Sequence, residues 1–283
     1  MLIVILLNQQ FNMLGHGIQI QKRKGLYNTV DPVAQGYYDY LNTVNGGQVD
    51  YNSLYSVSND QALSNFDTHF SSIRAFGYLN ELNHYFPYFG GTAATHSVCA
   101  IDLAQELLFV NSPVHSANGV TLNGTTQYID PQNTPSNDAD QDSAHLMELF
   151  IGSGTHGFGC RDTSPSMWGS ATATNKICDL NSAANRINVS NSATNNPFII
   201  SRTTDSRVDL YYDGTSIGND TTFTAVALPT NYSTTFGARN LEGTIGLYAN
   251  GDIRSSSIGT GLTAAQASHF NSQIKALQTA FGR

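Results

Sequence analysis

The hydrophobic pattern of this chain changes period once, near residue 92. Over residues 31–86, apolar positions recur every three or four residues, the spacing of one helix face. Asp31 can cap a first helix with Pro32 at its first position, where no amide N–H is needed. The stripe Val33, Tyr37, Tyr40, Leu41 and Val44 follows, and Asn45-Gly46-Gly47 ends it. Ser58 opens a second helix, with Gln61 placed to complete a capping box and a stripe of Ala62, Leu63, Phe66, Phe70 and Ile73. A third short helix is expected to carry Leu79, Leu82 and Phe86 and to stop before Pro87.

Over residues 92–258 the period becomes two, punctuated by Gly, Asn, Ser and Pro. Short strands are expected at 107–110, 120–125, 146–151, 198–200 and 207–212. Asn123-Gly124 and Asp213-Gly214 mark turns. Strands at this spacing form a sandwich or barrel. A last helix follows, with Leu262 as staple, Thr263 as cap and Gln266 closing the box. Its apolar positions, Ala267, Phe270, Ile274, Leu277 and Phe281, repeat at 3-4-3-4 spacing and predict one buried side.

Composition narrows the partners. The chain has 283 residues, 40% of them hydrophobic, and a net charge of −8, with only 12% charged residues. Asn, Ser, Thr and Gly take the place of charge, as in many extracellular and virion proteins. Cations are few and cluster only at Lys22, Arg23 and Lys24. Binding a phosphate backbone takes several converging cations, so no nucleic-acid role is expected. Met1 to Leu7 are apolar, but a membrane-spanning helix needs ~20 such residues and Asn8-Gln9-Gln10 interrupts the run. Residues 1–14 are therefore expected to be a buried strand or docking segment. Cys99, Cys160 and Cys178 form no disulfide framework and are expected as buried thiols. A Cys160–Cys178 bridge stays open.

Three blocks carry a resemblance. Tyr-Phe-Pro-Tyr-Phe-Gly-Gly-Thr-Ala-Ala-Thr-His at 85–96 is the first, and Gly-Val-Thr-Leu-Asn-Gly-Thr at 119–125 is the second. The third comprises Ser201-Arg202, Tyr212-Asp213-Gly214, residues 236–240 and 258–263, and the ending Phe281-Gly282-Arg283. Together they resemble a family of bacteriophage and Bacteroidetes virion and adhesin proteins. The resemblance implies a mainly β chain: a concanavalin A-like, laminin-G-like antiparallel β-sandwich (jelly roll) with a small N-terminal helical segment and a C-terminal helix. It covers roughly residues 31–283, as a helical segment (31–91) and a lectin-like sandwich (92–283), and leaves residues 1–30 outside it as the expected attachment segment. It also implies a phage virion surface protein, a spike, fibre or decoration subunit, that attaches to host-surface glycan. Residues 1–30 would bind other virion proteins, and the subunits would form a homo-oligomer. A secreted carbohydrate-binding module at the cell surface, a purely structural virion protein and a polysaccharide lyase or hydrolase are the alternatives.

Fold does not give function, so chemistry must come from particular residues. Glycoside hydrolysis uses two carboxylates about 5 to 10 Å apart, and Glu148 stands alone in its predicted strand. No nucleophile, zinc or phosphate motif is present, so no enzyme is expected. Sugar sites combine an aromatic face with groups that bond hydroxyls. Trp168, the only tryptophan, lies in a stretch read as a loop. With Arg161, Asp162 and Asn240 it forms the candidate ligand site. Arg239 is expected to be held structurally. Asp138, Asp140 and Asp142 alternate in an oxygen-rich segment that could hold calcium.

Overall fold

The computed structural model describes residues 30–162, 166–180, 186–222 and 225–283. The apolar segment at the N-terminus and its expected attachment role lie outside the described residues. Helices α1 (Pro32–Val44), α2 (Tyr51–Tyr55) and α3 (Asn59–Ala75) come first. The Asp31 side chain accepts from Val33 N–H, with Pro32 at the first position, and Ser58 caps α3 through Gln61 N–H. The third predicted helix is a correction. Leu79–Glu81 is a single 3-10 turn, and Leu82–Phe86 is strand β1, paired antiparallel with the chain's last strand. Leu82 and Phe86 lie four apart, which suits a helix face, but residues two apart also share a face in a strand. That sheet edge is filled by β1.

Two more short helices follow, α4 (Ala93–His96) and α5 (Pro135–Asp138). The early strands are β2 (Leu108–Val110), β3 (Val114–Ser116), β4 (Gly119–Asn123) and β5 (Tyr128–Asp130). Next come β6 (Ala144–Ser153), β7 (His156–Arg161), β8 (Ser166–Ala171), β9 (Asn175–Leu180) and β10 (Ile187–Ser190). Then follow β11 (Pro197–Thr204), β12 (Arg207–Tyr212), β13 (Thr215–Asp220), β14 (Arg239–Leu241), β15 (Thr244–Gly246) and β16 (Asn250–Gly259). Helix α6 (Ala264–Ala280) closes the chain with the predicted Thr263–Gln266 capping box.

These strands make a mainly β architecture of two packed sheets. The larger runs β13-β12-β11-β6-β16-β4-β3, and β1 extends it beside the second half of β16. The smaller runs β10-β9-β8-β7-β14-β15. Alternation along β6 shows the layering. Leu146 and Phe150 face the smaller sheet among Phe158, Met167, Phe198 and Ile200. Met147 and Leu149 face a helical layer with Phe66, Phe70, Phe270 and Ile274. Helices therefore cover one face of the larger sheet, and the smaller sheet covers the other. Cys99 and Cys178 are free thiols in this inter-sheet core, and Cys160 is likewise buried and free. Burial pushes the Cys160 and Cys178 thiols up, since a thiolate is poorly solvated there.

Candidate functional site

The β6–β7, β8–β9 and β10–β11 connections all lie at one end of the sandwich. There the two sheets part around a cleft of about 180 Å³. Its floor is Glu148 and Phe150 from β6, His156 from β7, Lys176 from β9, Phe198 from β11 and Tyr212 from β12. The rim includes Thr172, Thr194, Asn195 and Asn196.

Each floor residue occupies a position that its strand's period points inward. Glu148 lies between Leu146 and Phe150 on the core face of β6 and is 1% exposed. Its Oε2 accepts the Gly237 N–H at 2.7 Å. Its Oε1 lies 3.4 Å from His156 Nε2 and has no hydrogen-bond partner. His156 packs against Phe150 with ring centres 4.1 Å apart, and its Nδ1 is also buried without a partner. Lys176 shares the inward face of β9 with Cys178 and Leu180. Its ammonium donates to the Asn191 and Ala193 carbonyls at 3.1 and 2.8 Å and sits 4.7 Å from the Tyr212 ring centre. Burial lowers the Lys176 ammonium and raises the Tyr212 phenol. The cleft thus offers an apolar aromatic wall below a rim of accessible hydroxyl and amide side chains, Thr172, Thr194, Asn195 and Asn196.

The predicted ligand residues lie elsewhere. Trp168 is in the middle of β8, not in a loop, and is 2% exposed. Its neighbours Met167 and Gly169 face the core, so the indole lies on the outer face of the smaller sheet. Arg186 and Arg239 cover it, their guanidinium carbons 5.0 and 5.1 Å from the ring centre. A stacking platform needs a bare face, and this one is occupied by side chains. Arg161 closes β7 on the same outer face, and Asp162 follows it, half-buried. Asn240 does not join them. Its Nδ2 donates to the Ser233 carbonyl and its Oδ1 accepts from Gly243 N–H, which pins the β14–β15 turn.

The alternating acids do not converge. Asp138 is buried and its Oδ1 lies 2.8 Å from His84 Nε2, whereas Asp140 and Asp142 are exposed. Asp140 is tied through its backbone to Ser143. Among the described residues no group of three His, Cys, Asp or Glu side chains is gathered as a metal requires. Cys99, His84 and Asp138 do follow one another as a thiol–imidazole–carboxylate chain. The thiol has no exposed surface, so no substrate atom can reach it.

The sequence carries one signal for the cleft residues. A charged residue at a core-facing strand position, as at Glu148 and Lys176, is retained only where something partners it. Which strand ends meet around those charges is not visible in the sequence.

No family model matches the chain, and no curated protein matches it. Solved structures overlap it partly. Domain 4 of the extracellular arabinanase AbnA of Geobacillus stearothermophilus, in complex with arabinotriose, is 15% identical with a TM-score of 0.46, covering 68% of this chain and 98% of that one. The CBM40 of the Ruminococcus gnavus IT-sialidase, bound to α2,3 sialyllactose, is 11% identical with a TM-score of 0.42, covering 52% and 94%. The NanB sialidase of Streptococcus pneumoniae is 16% identical with a TM-score of 0.41, and the match spans 26% of its length. At such values the overlaps assign neither family nor ligand. No helix among the described residues is long and apolar enough to cross a membrane.

Proposed function

We propose that this chain is a non-catalytic carbohydrate-recognition sandwich that works by binding glycan outside a cell, as secreted carbohydrate-binding modules do. The observation that carries the reading is the cleft between the sheets. It combines an aromatic wall (Phe150, Phe198 and Tyr212) with His156 and the polar rim of Thr172, Thr194, Asn195 and Asn196 around a volume of about 180 Å³. Apolar sugar faces pack on such rings, while hydroxyls bond the amides and hydroxyls of the rim. Among the described residues Glu148 is the one carboxylate lining the cleft, and glycoside hydrolysis calls for a second. That supports binding without bond cleavage. Display on a phage particle, with a homo-oligomeric spike presenting the cleft to host-surface glycan, rests on the sequence resemblance.

A panel of immobilised neutral and acidic glycans tests the reading. The folded protein is expected to retain at least one glycan without releasing product, and His156→Ala is expected to weaken retention about tenfold. Failure to bind any glycan would overturn glycan recognition. Release of shortened oligosaccharide would overturn the non-catalytic reading.

A further inference from the structure

The outer face of the smaller sheet carries an excess of positive charge in a protein of net charge −8. In the order β10-β9-β8-β7-β14, Trp168 stands on the central strand. Arg186 immediately precedes β10 and Arg239 opens β14. These two strands are four strand spacings of about 4.8 Å apart, yet both guanidiniums reach the Trp168 ring. Arg161 adds a third guanidinium from the end of β7. The carboxylate facing them from the sheet is Asp179, which pairs with Trp168 across β8 and β9 and is 2% exposed. Asp162 lies at the margin, after Arg161.

Two guanidiniums on one indole, with Arg161 near them, repel each other, and Asp179 offsets only part of that charge. Burial and the charges of Arg161 and Arg186 together lower the Arg239 guanidinium. Burial raises the Asp179 carboxyl, against its bond to Ser166 and the nearby Arg161 and Arg186. Arg239 Nε is buried and has no hydrogen-bond partner. Among the described residues the face therefore sets three guanidiniums against two carboxylates, Asp179 and Asp162, and keeps a net positive charge.

We infer that Arg161, Arg186 and Arg239, set around Trp168, form a second binding site that takes the carboxylate of an acidic sugar. Arginine's planar fork matches a carboxylate with two parallel hydrogen bonds. Trp168 fixes two of the guanidiniums by cation–π contact, so less side-chain freedom is lost on binding. The carboxylate follows from the arginines alone. The sugar class rests on the glycan-binding reading, and the site is separate from the cleft.

Trp168 is the only tryptophan, so its fluorescence reports this face directly. Trigalacturonate is expected to change that fluorescence in the full chain, and galactotriose is not. Arg186→Gln, at an exposed position, should weaken trigalacturonate about tenfold, and added salt should weaken it further. Arg186→Lys should recover only part of the loss, because the charge returns without the fork. An absent response to trigalacturonate, or an equal response to galactotriose, would sink the proposal. So would affinity unchanged in both Arg186→Gln and Arg161→Gln. Displacement by inorganic sulfate at the same concentration would make this a general anion site and overturn the carboxylate assignment. If His156→Ala abolishes trigalacturonate binding while Arg186→Gln leaves it intact, the sugar sits in the cleft. The second site then fails and the glycan reading stands.

Discussion

His84 Nε2 lies 2.8 Å from Asp138 Oδ1 in a buried pair, and the Cys99 thiol sits 3.9 Å from the other ring nitrogen. Burial by itself lowers the imidazole, but the hydrogen bonds and charges of Asp138 and Cys99 outweigh it and raise His84 to about 10. A free histidine titrates near ~6.5. The native state thus holds this proton more tightly than the unfolded chain does. The stabilisation is complete below about pH 6.5 and is lost as pH rises through about 10. Asp138→Asn is expected to remove that alkaline dependence and to cost about 3 kcal/mol. Urea unfolding at pH 6, 8 and 10 checks both. An unaltered alkaline slope in the variant would assign the effect to another group.

His145 titrates in the opposite sense. Burial lowers it to about 4, against the bond from its Nδ1 to the Thr260 carbonyl at 2.6 Å. Its Nε2 faces the Ser257 hydroxyl at 2.7 Å, an arrangement that suits the neutral ring. The unfolded chain takes up a proton that the native state refuses between about pH 6.5 and 4. Stability is therefore full above 6.5 and falls through that window, by up to about 1.4 kcal/mol per pH unit for one such group. His145→Gln should flatten the decline between pH 7 and 4.5. Thermal melts of both proteins provide the comparison, and parallel curves would contradict the assignment.

Gly237 holds the floor of the cleft. Its N–H donates to Glu148 Oε2 at 2.7 Å and its φ is +70°. A side chain there would run into Leu122 Cδ1. Gly237→Ala therefore combines a left-handed backbone penalty with a clash and is expected to cost about 2 kcal/mol or more. Glycan retention should weaken with it as Glu148 shifts. A variant of wild-type stability would show that the turn relaxes freely.

Phe281 ties the last helix to the first ones. Its ring centre lies 4.4 Å from that of Phe89, 5.1 Å from Phe66 and 5.2 Å from Tyr55. Phe281→Ala should cost about 3–5 kcal/mol, since a large buried ring leaves a cavity among other rings. Chemical denaturation measures it. A loss below about 1 kcal/mol would mean that the neighbouring aromatics collapse into the space.

Local and periodic features were legible in the sequence because they depend on residues a few positions apart. The Asp31 and Thr263 caps, the Phe66–Phe70–Ile73 stripe, the Asp213-Gly214 turn and the sandwich class all follow from short-range hydrogen bonding and side-chain period. The helix expected at Leu82 and Phe86 failed because a pair of apolar residues four apart fits both periods, and only the open edge beside β16 chose between them. Ser166, Gly169 and Ser170 are small turn formers, so the sequence around Trp168 has the composition of a loop. What decides its place is pairing with Gly159 and Asp179 on neighbouring strands. Glu148, His156, Lys176 and Tyr212 lie on four strands, and the three arginines come from three separate parts of the chain. Their meeting is a product of strand order and register. The sequence by itself determined which segments could bury a face. Only the tertiary structure decided which charges those buried faces bring together, because that depends on contacts between residues far apart in the chain.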